Sequence, residues 1–409
     1  MGIVRIKKAI FYLLVCLFAC FCFSYAGHIS ISSSCTGKPI SYENYLIIPE
    51  HSSLRVIDES FNTVKNITCS PIRYLKVNQN SVDIYSLHND SRVELINLDN
   101  NLNENRTNFA VIPHIEVSKF TFFIDYNIIF NDFKVIRLND SRIISLPFDK
   151  MRFINADDRF VYLVDVYDKL NVFNIEGQLV GKYNLGSSVS GIVMLDQDHF
   201  SIASIKGLYV ISKGDFIVRR KHDFPKTPMG LYYYPPFVII PTVEKLHIYN
   251  YSNDTFVSIP YSKITSDDIA YEYSYEVYWY NGKRIYLDPL DCYTYEYDPK
   301  LVYVDVSMYD EKIYAIVYRR REFGIRYYYY KEGTKKRDYI EKRVYLNVGE
   351  IIRVNTNGWS YSNTVIDSYR SRHDNIFFRE PNFRPYIVKI GTKIYLVKTY
   401  RESISFEPF

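Results

Sequence analysis

Glycine and proline are scarce, at 16 residues each in 409, and no Pro/Gly/Ser-rich linker divides the chain. Of six cysteines, Cys16, Cys20 and Cys22 lie in an N-terminal apolar stretch, which leaves Cys35, Cys69 and Cys292. The eight histidines are scattered, with no H-E-x-x-H pair and no His/Cys cluster at metal spacing. Neither G-x-S-x-G, the P-loop nor G-x-G-x-x-G occurs, and no alternating Asp/Asn calcium loop is present. Asp267 and Asp268 are adjacent, and adjacent side chains diverge in an extended chain, so they make a poor acid/base dyad. The expectation is therefore no cofactor and no metal. An enzyme whose residues gather from several repeats stays open, because spacing along the chain does not reveal such a site.

What the sequence holds instead is a repeat of about 38 residues. Its clearest copy is Phe160 to Tyr183, which reads as three short strands with turns at Tyr167-Asp168-Lys169 and at Ile175 to Gln178. Gly177 supplies the positive φ that a tight hairpin needs. Three such strands alone bury too little apolar surface to be stable, so the unit requires neighbours. Aligned on the residue that ends the second of these strands, the anchors are Asp58, Asn97, Arg137, Asn174, Ser212, Asn250 and Asp288. The position before each anchor holds Ile57, Ile96, Ile136, Phe173, Ile211, Tyr249 and Leu287, predicted to be equivalent. Apolar positions alternate with Arg55, Glu94, Lys134, Asn171, Tyr209 and His247, which predicts one buried and one solvated face, with His247 at the surface. Asn100 and Asn253 fall where Gly177 does, and Asn is the next-best residue for a left-handed turn.

The copy FVYLVDVYDKLNVFNIEGQLVG resembles one blade of an NHL- or YVTN-type β-propeller, through the strand ending in Asp165, the strand ending in Phe173-Asn174 and the Glu176-Gly177 turn. Leu246 to Asn250 is similar to Leu170 to Asn174. The chain departs from that family in being poor in Gly and rich in Tyr and Asn. The resemblance implies an all-β fold, a single β-propeller of about seven or eight blades with an irregular Tyr-rich C-terminal part. Family propellers are mostly binding platforms, with some enzymes among them.

Residues 1–26 read as a signal peptide: Arg5, Lys7 and Lys8 precede an apolar run from Ala9 to Phe23, and Ser24-Tyr25-Ala26 is a small-x-small cleavage signal. An uncleaved anchor, or a lipid on Cys20, is the alternative route to a membrane. The formal charge of the whole chain is +4, and the signal holds three of those charges, so the remainder is near +1. That balance and export argue against nucleic acid. Export also permits a Cys35–Cys69 disulfide; three unpaired thiols is the competing reading. Six N-x-S/T sequons begin at Asn66, Asn89, Asn105, Asn139, Asn250 and Asn253, several of them where turns need such residues for backbone reasons.

Repeat blades are assigned to 27–300, and irregular C-terminal blades or a β appendage to 301–409. Residues 261–350 carry 20 of the 41 tyrosines. Asp267 to Asp298 is acidic. Arg319 to Arg343 is basic, with ten Lys/Arg against four Asp/Glu, and reads as a long hairpin turning at Glu332-Gly333-Thr334. Arg319, Arg320, Arg321, Arg326, Tyr327, Tyr328, Tyr329 and Tyr330 are the candidate ligand-binding residues, because arginine beside aromatic rings combines ion pairing with stacking. Pairing of this hairpin with the acidic stretch is the competing reading. The expected function is an exported non-catalytic binding or scaffold module for a protein or an anionic polymer. The alternatives are a propeller enzyme acting on glycans or peptides and a structural subunit of a surface assembly.

Overall fold

The structure, a computed structural model, describes residues 27–30, 37–70, 72–87, 93–109, 122–125, 128–131, 134–137, 142–145, 151–185, 189–224, 226–262, 277–280, 283–286, 292–296, 300–330, 337–371 and 383–409. Every regular element among them is a β-strand. The strands form seven antiparallel four-stranded sheets, one five-stranded sheet and one strand pair. These are the blades of an all-β protein of the β-propeller class. The chain divides into two compact units, residues 1–116 with 381–409, and residues 117–380.

The first unit holds three blades. Ile40–Tyr42, Tyr45–Pro49, Ser53–Ile57 and Thr63–Thr68 form one; Ile72–Val77, Ser81–Leu87, Val93–Asp99 and Glu104–Phe109 form the next. In the third, Arg384–Ile390, Lys393–Thr399 and Ser403–Pro408 are completed by Gly27–Ser30, which pairs with Ser403–Pro408. Ile47, Leu54 and Val56 pack with Val82 and Ile84 of one neighbour, and Leu46, Ile48 and Ile57 with Val388, Val397 and Phe406 of the other.

The second unit holds four blades of the same meander, built on Phe122–Asp125 to Arg142–Ser145, Met151–Ala156 to Leu179–Asn184, Gly191–Met194 to Val218–His222, and Tyr232–Tyr234 to Thr255–Pro260. The pair Val277–Tyr280 and Lys283–Tyr286 follows. Last comes the five-stranded sheet, in which Cys292–Glu296 and Lys300–Tyr309 both pair with Lys312–Tyr330, which pairs with Arg337–Asn355, which pairs with Ser360–Ser371. The two central strands, of 19 residues each, make the long hairpin; the turn between them lies outside the described residues.

Ile57, Ile136, Phe173, Ile211 and Tyr249 all lie in the third strand of their blades, each one residue before the position opposite the start of the second strand. Ile96 lies in a third strand too, but two residues early. Asp99, not Asn97, pairs with the first residue of its neighbouring strand, Ser81. A slip of two residues keeps every side chain on its own face, so alternation could not detect it. Leu287 lies outside the described residues.

The expectation of one solvated face fails for the third strands. Asn171 is fully buried and His247 is 5% exposed. The physical reason is that each of these sheets packs on both faces. Val210 meets Val238 and Ile240 across one junction, and Ile248 meets Val306 and Ile352 across the next. The fourth strands, such as Leu179–Asn184 and Val218–His222, carry the exposed side chains instead.

The turn after the third strand explains the scarcity of glycine. Asp58 Oδ1 accepts from the N–H groups of Ser60 and Asn62, Asp99 Oδ1 from Asn101 and Asn103, and Asn174 Oδ1 from Glu176 and Gln178. Such side-chain caps hold the turn whether or not it contains a glycine. The left-handed residue in these turns is Phe61, Leu102 and Gly177, with φ of 62°, 62° and 79°. In the next two blades it is Phe216 and Asp254. Leu102 and Asp254, rather than Asn100 and Asn253, therefore match Gly177. Phe61 and Phe216 use that geometry to set a ring against the preceding blade, on Phe406 at 4.6 Å and Phe160 at 5.2 Å.

Tyrosine joins blades as well. On the strand Tyr232–Tyr234, Tyr232 and Tyr234 donate forward to the carbonyls of Val304 and Val306 at 3.1 and 2.6 Å. Tyr233 points the other way and donates to the Leu195 carbonyl at 2.8 Å. The two-residue strand period places successive rings on opposite faces, so one short strand ties both neighbours.

Candidate functional site: an arginine–tyrosine face on the long hairpin

Register sets the site. In the hairpin, Arg326 pairs with Glu341, Tyr328 with Tyr339 and Tyr330 with Arg337, while Tyr293 of the adjoining strand pairs with Arg326. Directly opposed residues share a face, as do residues two apart. Tyr293, Arg326, Glu341, Tyr328, Tyr339 and Arg337 thus lie on one side of the sheet. Tyr293 is 57% exposed and Tyr339 46% exposed. The Arg326 guanidinium sits 5.0 Å from the Tyr339 ring centre, and the Arg337 guanidinium 4.7 Å from that of Tyr328. The two rings meet edge to face at 6.0 Å. Arg326 Nε also donates to Glu341 Oε2 at 2.9 Å. The result is an outward ladder of two rings flanked by two guanidinium groups, on strands fixed by backbone pairing.

The opposite side of the same strand turns inward. Phe323 and Tyr327 are buried. Arg319 is buried too: its Nη2 is 2.7 Å from Glu350 Oε1 and donates to the Ser262 carbonyl at 3.0 Å, and its guanidinium lies 4.9 Å from the Tyr261 ring. Ser262 N–H donates to Glu350 Oε2 at 3.1 Å. Arg319 therefore braces the base of the hairpin against the preceding blade. Arg320 is half-buried. The side chains of Arg321, Tyr329 and Tyr330 lie outside the described residues.

Ion pairing within the hairpin joins its own two strands, Arg326 with Glu341 and Arg343 with Glu322. The acidic stretch contributes one neighbouring strand, Cys292–Glu296, and most of its carboxylates lie outside the described residues. Sequence reading did not single out Tyr293, Arg337, Tyr339 and Glu341 for this face. The pairing register is the only signal that brings them together.

Two other polar clusters lie elsewhere in the second unit. Tyr251 Oη donates to Asp196 Oδ2 at 2.7 Å, and His199 Nδ1 lies 3.1 Å from Asp196 Oδ1. Despite partial burial of the Asp196 carboxylate, the Tyr251 hydroxyl and two backbone N–H groups hold its pKa below the usual value. His247 stacks between Phe224 and Phe256 at 5.2 and 5.6 Å, and its Nδ1 lies 2.7 Å from Ser258 Oγ. Burial, with Lys245 nearby, pushes its pKa down to about 4. Among the described residues no group of three or more His, Cys, Asp or Glu is arranged to hold a metal ion. Cys69 is a free, buried thiol, and burial followed by the Glu94 charge pushes its pKa up to about 11. Cys35 lies outside the described residues. Asn250 and Asn253, both starting sequons, accept backbone N–H bonds from Ser252 and Thr255.

No family model matches the chain, and no curated protein matches it. Similar solved structures exist. The computationally designed Ika8 protein aligns over 93% of this chain and 98% of its own, at 10% identity and a TM-score of 0.47. Apo AztD from Citrobacter koseri aligns over 89% and 98%, at 10% identity and 0.48. BamB from Moraxella catarrhalis aligns over 94% and 98%, at 8% identity and 0.33. These are β-propeller proteins. At such identities the likeness concerns the fold alone, and the class of this chain rests on its own sheets.

Proposed function

We propose that this protein is an exported, non-catalytic binding module that holds an anionic polymer on the arginine–tyrosine face of its long hairpin. The observation that carries the reading is the outward ladder Arg326–Tyr339 and Tyr328–Arg337. Guanidinium groups supply charge for phosphate, sulfate or carboxylate groups, and the rings add stacking area at small entropic cost. Backbone pairing on both sides of Arg326 holds the ladder in place before any ligand arrives, which reduces the ordering cost of binding. The basic excess of the segment, about +6 in a chain whose formal net charge is +4, concentrates attraction there.

Export rests on the charged, apolar N-terminus and its Ser24-x-Ala26 signal. Among the described residues no helix is long and apolar enough to cross a membrane.

The test is binding of the folded chain to dextran sulfate over a range of salt, beside the Arg326→Ser/Arg337→Ser variant. The reading expects affinity to fall with salt, and the variant to bind at least about tenfold more weakly with a shallower salt dependence. Equal affinity at an unchanged melting temperature would remove the face from function.

A further inference from the structure

A second feature lies on the same sheet, at the far end of the long strands from the ladder. Lys312, Arg353, Asn355, Ser360, Tyr361 and Ser362 line an open cavity of about 240 Å³. Strand register builds it in two rows on one face. Lys312 pairs with Asn355, which pairs with Ser360; in the next row Arg353 lies between Tyr314 and Ser362.

The lining has an unusual balance. It holds two cations, an amide and three hydroxyls, and no carboxylate. Among the described residues neither Lys312 nor Arg353 has an ion-pair partner. The acids closest in sequence are Asp310 and Glu311, on the turn before Lys312. The Glu311 carboxylate accepts from Asn357 Nδ2, and its backbone carbonyl from Thr356 N–H and Oγ1 at 3.1 and 2.7 Å. That turn is thereby tied to the opposite turn, and Asp310 and Arg353 act in opposite directions on the Tyr314 hydroxyl. The Arg353 guanidinium rests 6.0 Å from the ring centre of the buried Tyr314, which orients its fork. Asn355 Oδ1 accepts from Asn357 N–H at 3.1 Å, which leaves the Asn355 amide N–H groups as donors.

We propose that this cavity is a binding site for a phosphate monoester. The argument is one of charge and donor count. A phosphate monoester at neutral pH carries about −1.5 to −2 charges and three terminal oxygens. Lys312 and Arg353 match that charge. The planar Arg fork pairs with two oxygens, and Lys312, the Asn355 amide and the serine hydroxyls supply further donors. A carboxylate would leave several of these donors idle. The site is separate from the ladder, so either can fail without the other.

Calorimetric titration of the full chain with glucose 6-phosphate tests the proposal, with glucose and glucose 6-sulfate as the neutral and singly charged comparisons. The phosphate should bind, the sulfate more weakly, and glucose not at all. Lys312→Ser and Arg353→Ser should each weaken the phosphate by about tenfold or more, while Arg326→Ser/Arg337→Ser leaves it unchanged. Vesicles carrying phosphatidic acid distinguish a lipid source from a soluble one. Capture that is lost in Lys312→Ser/Arg353→Ser assigns the site to a lipid headgroup; no capture beside intact glucose 6-phosphate binding assigns it to a soluble ester. Absence of binding to any phosphate monoester at millimolar concentration overturns the proposal. So does equal affinity of the parent and both single variants at unchanged melting temperature.

Discussion

Phe216 takes a left-handed backbone conformation, φ 55°, and sets its ring 5.2 Å from that of Phe160 on the preceding blade. A left-handed conformation costs a bulky residue about 1–2 kcal/mol, and burial of the ring offsets it. The ordering of two substitutions follows. Phe216→Ala loses the ring and keeps the backbone strain, so it should cost about 3–5 kcal/mol. Phe216→Gly loses the ring but relieves the strain, and should be the more stable of the two by about 1 kcal/mol. Denaturant unfolding of both variants checks this; alanine above glycine would mean that the turn is unstrained.

Arg319 and Glu350 form a buried pair at the junction between the hairpin sheet and the preceding blade. Removing one charge strands the other. Glu350→Gln is expected to destabilise by about 3–5 kcal/mol, and Arg319→Met/Glu350→Leu to recover most of that loss. Thermal unfolding of the three proteins decides it. A single variant as stable as the parent would show that water reaches the pair.

His247 gives the fold a pH dependence. Its folded pKa, about 4, lies below its ordinary value of 6.5, because burial between two rings favours the neutral ring. The unfolded chain therefore takes up a proton first as pH falls. Stability is unaffected above about pH 6.5 and declines between there and pH 4, by about 3 kcal/mol in all. His247→Phe should abolish that portion of the decline in denaturant midpoints measured across this range. An identical profile in the variant would place the titration elsewhere.

Cys69 should be inert in the folded protein, since its thiol is buried and its pKa is pushed up to about 11. Iodoacetamide at pH 8 is expected to label it only after denaturation, without reductant. Labelling that requires reductant would mean that Cys69 is held in a disulfide.

Much of the fold was legible because strands two and three recur with β-branched and apolar residues, and because Asn174, Ser212 and Asn250 end their strands alike. Legibility failed where period two is blind. Asn97 and Asp99 lie on the same face, so alternation could not choose between them, whereas the hydrogen bonds of Asp99 to Asn101 and Asn103 do. Polar His247 looked solvated because its partners, Ser258 and the flanking rings of Phe224 and Phe256, come from elsewhere in the chain. The proposed face was half visible. Arg326 and Tyr328 stood out by composition, but a turn centred on Gly333 would pair Tyr328 with Asp338. The actual register, shifted by one residue, pairs it with Tyr339 and assembles the ladder.

The most direct test of the account is hydrogen exchange of the full chain with and without dextran sulfate, read peptide by peptide. A ligand on the ladder should slow exchange at Arg326 to Tyr328 and at Arg337 to Glu341, and leave the third strands of the blades unchanged. Protection confined to other strands, with the hairpin exchanging as in the free protein, would contradict the claim that this face is where the protein binds.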